Sequence, residues 1–147
     1  MSNSIRERIL QAAVDRIASV IGPLNAEVHR SPTLALTREQ APAVVLFPES
    51  DEVTDHPNDR VEHQLIVRVV ALARGTAPTP PETEADALLV AAHAALMSET
   101  TFGGHALGIS EIECEWEVED ADSTVAAIPA RYAIRYRTLQ HDLTQRG

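Results

Sequence analysis

The longest regular alternation of apolar and polar positions covers residues 61–74, VEHQLIVRVVALAR. Val61, Leu65, Val67, Val69, Ala71 and Ala73 recur at the two-residue period of a strand, and His63 shares their face. On the alternate positions Ile66, Val70 and Leu72 interrupt Glu62, Gln64, Arg68 and Arg74. A strand that is apolar on both faces needs two covers, the second from its own chain or from a neighbouring subunit. Residues 61–74 are therefore expected at the centre of the fold, with Ile66, Arg68, Val70 and Leu72 as candidate subunit contacts.

The pattern turns helical at the start of the chain, where Ile5, Ile9, Ala13, Ile17 and Ile21 recur at the spacing of one helix face. Ser4 and Glu7 fit a capping box, and Gly22-Pro23 is a stop, which predicts a helix over 4–21. A short strand is expected around 26–30. Residues 31–41, bounded by Pro32 and Pro42, read as a loop or a single helical turn. AVVLF at 43–47 reads as a buried strand closed by Pro48. The run ESDEVTDHPND at 49–59 is expected to be a mobile acidic hairpin tip that carries Glu49, Asp51, Glu52, Asp55 and Asp59 outward. After a Pro/Thr linker, Ala85, Leu88, Leu89, Ala92 and Leu96 mark a second helix over 81–98, with Pro80 and Pro81 at its start.

Two further strands are predicted at 109–119 and 130–139. In the first, Ile112, Cys114, Trp116 and Val118 alternate with Glu111, Glu113, Glu115, Glu117 and Glu119; in the second, Tyr132, Ile134 and Tyr136 alternate with Arg131, Arg135 and Arg137. An antiparallel register opposing Glu117 to Arg131, Glu113 to Arg135 and Glu111 to Arg137 satisfies both faces together. Pro129 cannot donate to a ladder, so pairing is expected to begin after it, or the strand to lie at an edge there. The resulting layout is α+β. It is one domain over 1–147, with a single mainly antiparallel or mixed sheet, two helices on one face and a closing hairpin.

Composition narrows the function. The chain has 12 Lys+Arg, all arginine, against 22 Asp+Glu, for a formal net charge of -10. That field argues against sequence-specific or general nucleic-acid binding, and the arginine forks suit specific carboxylate pairs. No stretch has the length and hydropathy of a membrane span. The opening MSNSIRERIL lacks the apolar run of a signal peptide, so a protein made in a reducing cytoplasm is expected. Cys114 is the only cysteine, and its alternation with Trp116 reads as core. The six histidines show no ligand spacing, and the acidic run lacks the glycine and terminal glutamate of a calcium loop. Gly103-Gly104 has no following lysine and reads as a turn. No nucleophile, base and orienting group can be assembled, so neither an enzyme nor a cofactor or metal site is expected.

Four stretches resemble the tail-terminator (tail-completion) proteins of long-tailed bacteriophages and prophages. They are PAVVLFPESDE (42–52), residues 61–74, AALMSETTFGGHALGI (94–109), with its T-x-x-G-x-A-x-x-I run, and YAIRYRTLQHDL (132–143). The resemblance implies an α+β subunit that assembles as a hexameric ring in the virion tail. Such a ring caps the tail tube, ends polymerisation and offers a joining surface to the head. The implied partners are other copies of the chain, the tail tube protein and a head-completion or connector protein. Within that expectation Glu111, Glu113, Glu117, Arg131, Arg135 and Arg137 join the subunit-contact candidates, and the acidic run faces tube or head. The alternative reading is a small α+β binding module that recognises a peptide or small molecule through its acidic loop.

Overall fold

The structure, a computed structural model, describes residues 2–32, 42–75, 79–114 and 125–147. Helices α1 (Ile5–Ile21) and α2 (Pro81–Met97) pack with one face of a mixed six-stranded sheet into a single core, an α+β architecture. The strands are β1 (Glu27–Arg30), β2 (Ala43–Asp55), β3 (Arg60–Arg74), β4 (Gly108–Cys114), β5 (Val125–Leu139) and β6 (Asp142–Arg146). Their order is β1-β2-β3-β5-β4, with β6 also on β5. Only β1 and β2 run parallel. β4 pairs with β5 over residues 130–135 and β6 over 138–139, so the two short strands occupy successive stretches of β5.

Ser4 caps α1 by accepting the Glu7 amide at 3.1 Å. Only that half of the capping box forms. The Glu7 carboxylate instead accepts both terminal nitrogens of Arg30, at 2.5 and 2.6 Å, and so ties the helix to β1. Ile5, Ile9, Ile17 and Ile21 are completely buried. Each contributes about 1.5–3 kcal/mol relative to exposure, so this face holds the helix more than intrinsic propensity does. Past Ile21 a single 3-10 turn, Gly22–Leu24, ends at Asn25 with φ 58°, and the chain reverses into β1. The short predicted strand there is present.

β3 is the central strand as expected, paired along its length with β2 and β5. Val61, His63, Leu65, Val67, Val69, Ala71 and Ala73 are all buried. On the face away from the helices the pairings line up in rows across β2, β3 and β5. Ala43/Leu72/Ala127 and Val45/Val70/Pro129 come first, then Phe47/Arg68/Arg131 and Ser50/Ile66/Ala133, and last Glu52/Gln64/Arg135 and Asp55/Glu62/Arg137. This outer face therefore grades from apolar at one end to charged at the other.

Residues 49–59 are not a loop tip. β2 continues to Asp55, and only 56–59 form the turn into β3. Pro48 opposes Val67 while Ser50 opposes Ile66, so Glu49 is an extra residue in a bulge. A bulge exchanges the faces of everything beyond it. Asp51 therefore opposes Leu65 and points toward the helices, where unbroken alternation would have sent it outward. The misreading has a physical origin: a strand with one wet face and a bulge lacks the alternation that identifies strands.

The closing strands also differ from expectation. β4 and β5 pair with Glu111 opposite Tyr132 and, beyond a register shift at Ile112, Glu113 opposite Arg131. The proposed pairings of Glu113 with Arg135 and Glu111 with Arg137 are not formed. Glu117 lies outside the described residues, as do Trp116 and the expected loop at 33–41. β5 starts at Val125, five residues before the predicted bound, and pairs with β3 through Pro129, which opposes Val70; any continuation of β4 past Cys114 lies outside the described residues. β6 went unforeseen because its five residues carry too little alternation.

Candidate functional site

The outer sheet face holds a charged cluster at its middle row. Arg131 Nη1 donates to Glu113 Oε1 at 2.7 Å, and its Nε donates to Glu49 Oε2 at 3.0 Å. Arg68 Nη1 stands 4.0 Å from Glu49 Oε1. These side chains and Pro129 line a shallow pocket. The Glu113 hydrogen bond raises the Arg131 pKa further, so the guanidinium is permanently charged. The structure thus brings together four sequence candidates, Arg68, Arg131, Glu113 and Glu49, through a register that alternation alone did not supply. Arg137 Nε lies 3.5 Å from Glu62 on β3, and Arg135 is exposed without an ion pair among the described residues. Ile66 is 7% exposed, whereas Val70 and Leu72 are half-buried.

Glu111 belongs to the opposite face. Its carboxylate is 3.8 Å from Nδ1 of His93 on α2, and that ring nitrogen is 2.9 Å from the Tyr132 hydroxyl. Cys114, near the same end of β4, is exposed and not core. The shift at Ile112 turns it to the helix face, opposite Ala130, but the edge position of β4 leaves it uncovered. Partial burial, with Glu111 and Asp86 nearby, pushes its thiol up, the reverse of what a nucleophile needs.

A second cluster, invisible to sequence reasoning, lies between α1 and the sheet. Asp51 Oδ2 accepts from Arg6 Nη1 at 3.0 Å and from the Tyr136 hydroxyl. Its Oδ1 faces His63 Nδ1 at 3.5 Å. The His63 ring stacks on Tyr136 at 4.6 Å with 6° between planes, and its Nε2 meets Thr138 Oγ1 at 3.0 Å. Burial, then the hydrogen bond to Asp51, raises the Tyr136 pKa far above the ordinary phenol value, so this hydroxyl is a donor at neutral pH. The signal available in the sequence was His63 on an apolar face. Its partner Asp51 was concealed by the acidic run. Of the remaining acidic candidates, Glu52, Asp55 and Asp59 are exposed.

The T-x-x-G-x-A-x-x-I run folds as a left-handed turn between α2 and β4. Phe102, Gly103 and Gly104 have φ 50°, 74° and 87°, an arrangement that a buried Phe102 adopts only with support. Glu99 provides it by accepting from the amides of Thr101 (2.7 Å) and Gly103 (2.6 Å), from the Thr101 hydroxyl and from Arg16 Nη2 (2.9 Å). The Arg16 guanidinium also lies 4.6 Å over the Phe102 ring. These residue types serve the turn's geometry.

Among the described residues no group of three or more His, Cys, Asp or Glu side chains could hold a metal ion. Among the described residues no helix is long and apolar enough to cross a membrane. No protein-family model and no curated protein matches the chain. Among solved structures it is similar to a chain of the "Virion of native gene transfer agent (GTA) particle". The two share 14% identity over 90% of each chain, with a TM-score of 0.44.

Proposed function

We propose that this chain is a structural virion protein of the tail-terminator type, a subunit of a hexameric ring that caps the tail tube and joins it to the head. One observation carries the reading: the outer face of the sheet. Its apolar rows, Val45/Val70/Pro129 and Ala43/Leu72/Ala127, leave Val70 and Leu72 half-buried at their centre and adjoin the Arg131–Glu113–Glu49 cluster. An apolar area bordered by complementary charges suits a subunit contact, in which the apolar part supplies affinity and the charges set register. The four stretches that resemble tail terminators supply the kind of assembly. Exposed carboxylates at Glu52, Asp55 and Asp59 would give a ring a negative surface past which DNA slides without adhering. The role is non-catalytic, in keeping with a Cys114 thiol held protonated and a His93 ring engaged by Tyr132 and Glu111. The alternative of a recognition module needed a projecting acidic loop, and strand β2 occupies most of that segment.

The test is absolute mass by light scattering across a concentration series, paired with addition of the chain to polymerising tail tube protein. A hexamer that forms as concentration rises, or a cap that limits tube length, is expected. A chain that stays monomeric and leaves tube length unchanged overturns the reading.

A further inference from the structure

At the end of the sheet where β3 begins, Arg60, Arg137 and Arg146 line one groove of about 380 Å³ with His105 and Leu107. Arg60 is exposed and forms no ion pair among the described residues; Arg146 donates only to the Gly104 carbonyl, at 2.6 Å. Glu62, 3.5 Å from Arg137, is the one carboxylate paired with any of the three among the described residues. His105 also lines an adjoining groove with Arg8, Asp15 and Arg16, the last paired with Glu99. Burial, with Arg8 and Arg146 nearby, depresses the His105 pKa. In a chain of net charge -10, this gathering of guanidinium groups is a local reversal of sign.

The complementary surface sits at the far end of the same strand. Glu84 lines a groove with Ala73 and Arg74, the last residues of β3, while Arg60 is its first. Fifteen strand residues separate the two grooves by roughly 50 Å. Glu82, Glu84 and Asp86 occupy the first two turns of α2, and none forms an ion pair among the described residues. A surface and its complement at opposite ends of one subunit define a head-to-tail contact, which closes into a ring when the rotation between subunits permits.

We infer that the arginine groove of Arg60, Arg137 and Arg146 receives the acidic first turns of α2, Glu82, Glu84 and Asp86, from the next copy of this chain. The inference rests on the ring reading above and adds the charged contact that orders the subunits. Arginine forks facing carboxylates give such a contact direction and a strong dependence on salt.

Two variants test it together. Arg60→Glu with Arg146→Glu reverses the groove at two exposed positions, and Glu84→Arg with Asp86→Arg reverses the helix turn; circular dichroism and thermal midpoints establish that each folds. Each variant alone should need at least about tenfold more protein to assemble than the wild type. An equimolar mixture should recover assembly, because each reversed surface then meets its reversed partner in an alternating ring. Wild-type assembly with both variants unaffected overturns this contact and leaves the ring intact. Loss in both variants without rescue by mixing overturns it too. A folded wild type that neither assembles nor caps tubes removes the ring reading itself. The outcomes separate the two claims.

Discussion

Asp51→Ala is the most informative single change, because two readings of residues 49–55 forecast opposite results. On a solvated loop the change would be silent. In the structure it leaves the Tyr136 hydroxyl, in a residue only 2% exposed, without its acceptor. An abandoned buried donor costs about 1–3 kcal/mol. The Arg6 side chain is 44% exposed, so loss of its ion pair adds no more than about 0.2–1 kcal/mol after screening. The His63 contact at 3.5 Å is too long to add a further hydrogen bond. The sum is about 1–4 kcal/mol. For a chain of this size that corresponds to a fall in thermal midpoint of roughly 3–15 °C, read by circular dichroism. Two companions make the measurement specific. Glu52→Ala, on the adjacent exposed position, should stay within about 0.5 kcal/mol of wild type. Tyr136→Phe should remove most of the Asp51→Ala effect, since no hydroxyl is then left unpaired. Equal, small effects of Asp51→Ala and Glu52→Ala would refute the inward turn of Asp51 and with it the bulge.

Three further outcomes follow from other parts of the molecule. The Thr101 hydroxyl, together with the Gly103 and Thr101 amides, pulls the Glu99 carboxyl from 4.5 to about 2. Since the folded value is the lower one, its contribution is complete above pH 4.5 and is lost as pH falls toward about 2. Wild type should thus lose more stability across that window than Glu99→Gln in parallel acid titrations, and equal losses would count against the turn. A double-mutant cycle on Arg131 and Glu113 should show a favourable coupling that weakens with added salt, whereas Arg135 with Glu113 should show none; the reverse result would restore the register read from alternation. Deleting 49–55 should abolish the cooperative unfolding transition, because it removes half of β2 and the Asp51 cluster. A retained transition would show that the segment is dispensable.

Strong periodicity made much of the fold legible. The isoleucines of α1 and the valines and leucines of β3 bury the faces their spacing assigns, and the helix boundaries agree within a residue or so. Register was not legible. Alternation favours an offset that pairs every arginine of β5 with a glutamate, Glu113 with Arg135 among them; the bulge at Ile112 sets Glu113 opposite Arg131 instead, from geometry that spacing does not encode. The Asp51 cluster was hidden for a related reason, since an aspartate in a run of carboxylates looks solvated unless the bulge at Glu49 is known. Arg68 and Arg131 were both subunit-contact candidates, and the structure sets them opposite one another on the outer face. Their common partner Glu49 had been assigned to a loop.

The extra residue in β2 works like a frame shift for the surface of the protein. Upstream of it, the outward positions belong to the apolar rows; downstream, the same parity turns inward and Glu52 faces outward, until a second register shift at Thr54 returns the original parity and sets Asp55 outward as well. Adding or removing one residue near position 49 would therefore exchange the inner and outer faces of all that follows up to the turn. The same edit among residues 56–59 would alter only a connection. This chain can drift freely in the identity of its outer carboxylates while the count of residues between Pro48 and Asp51 stays fixed.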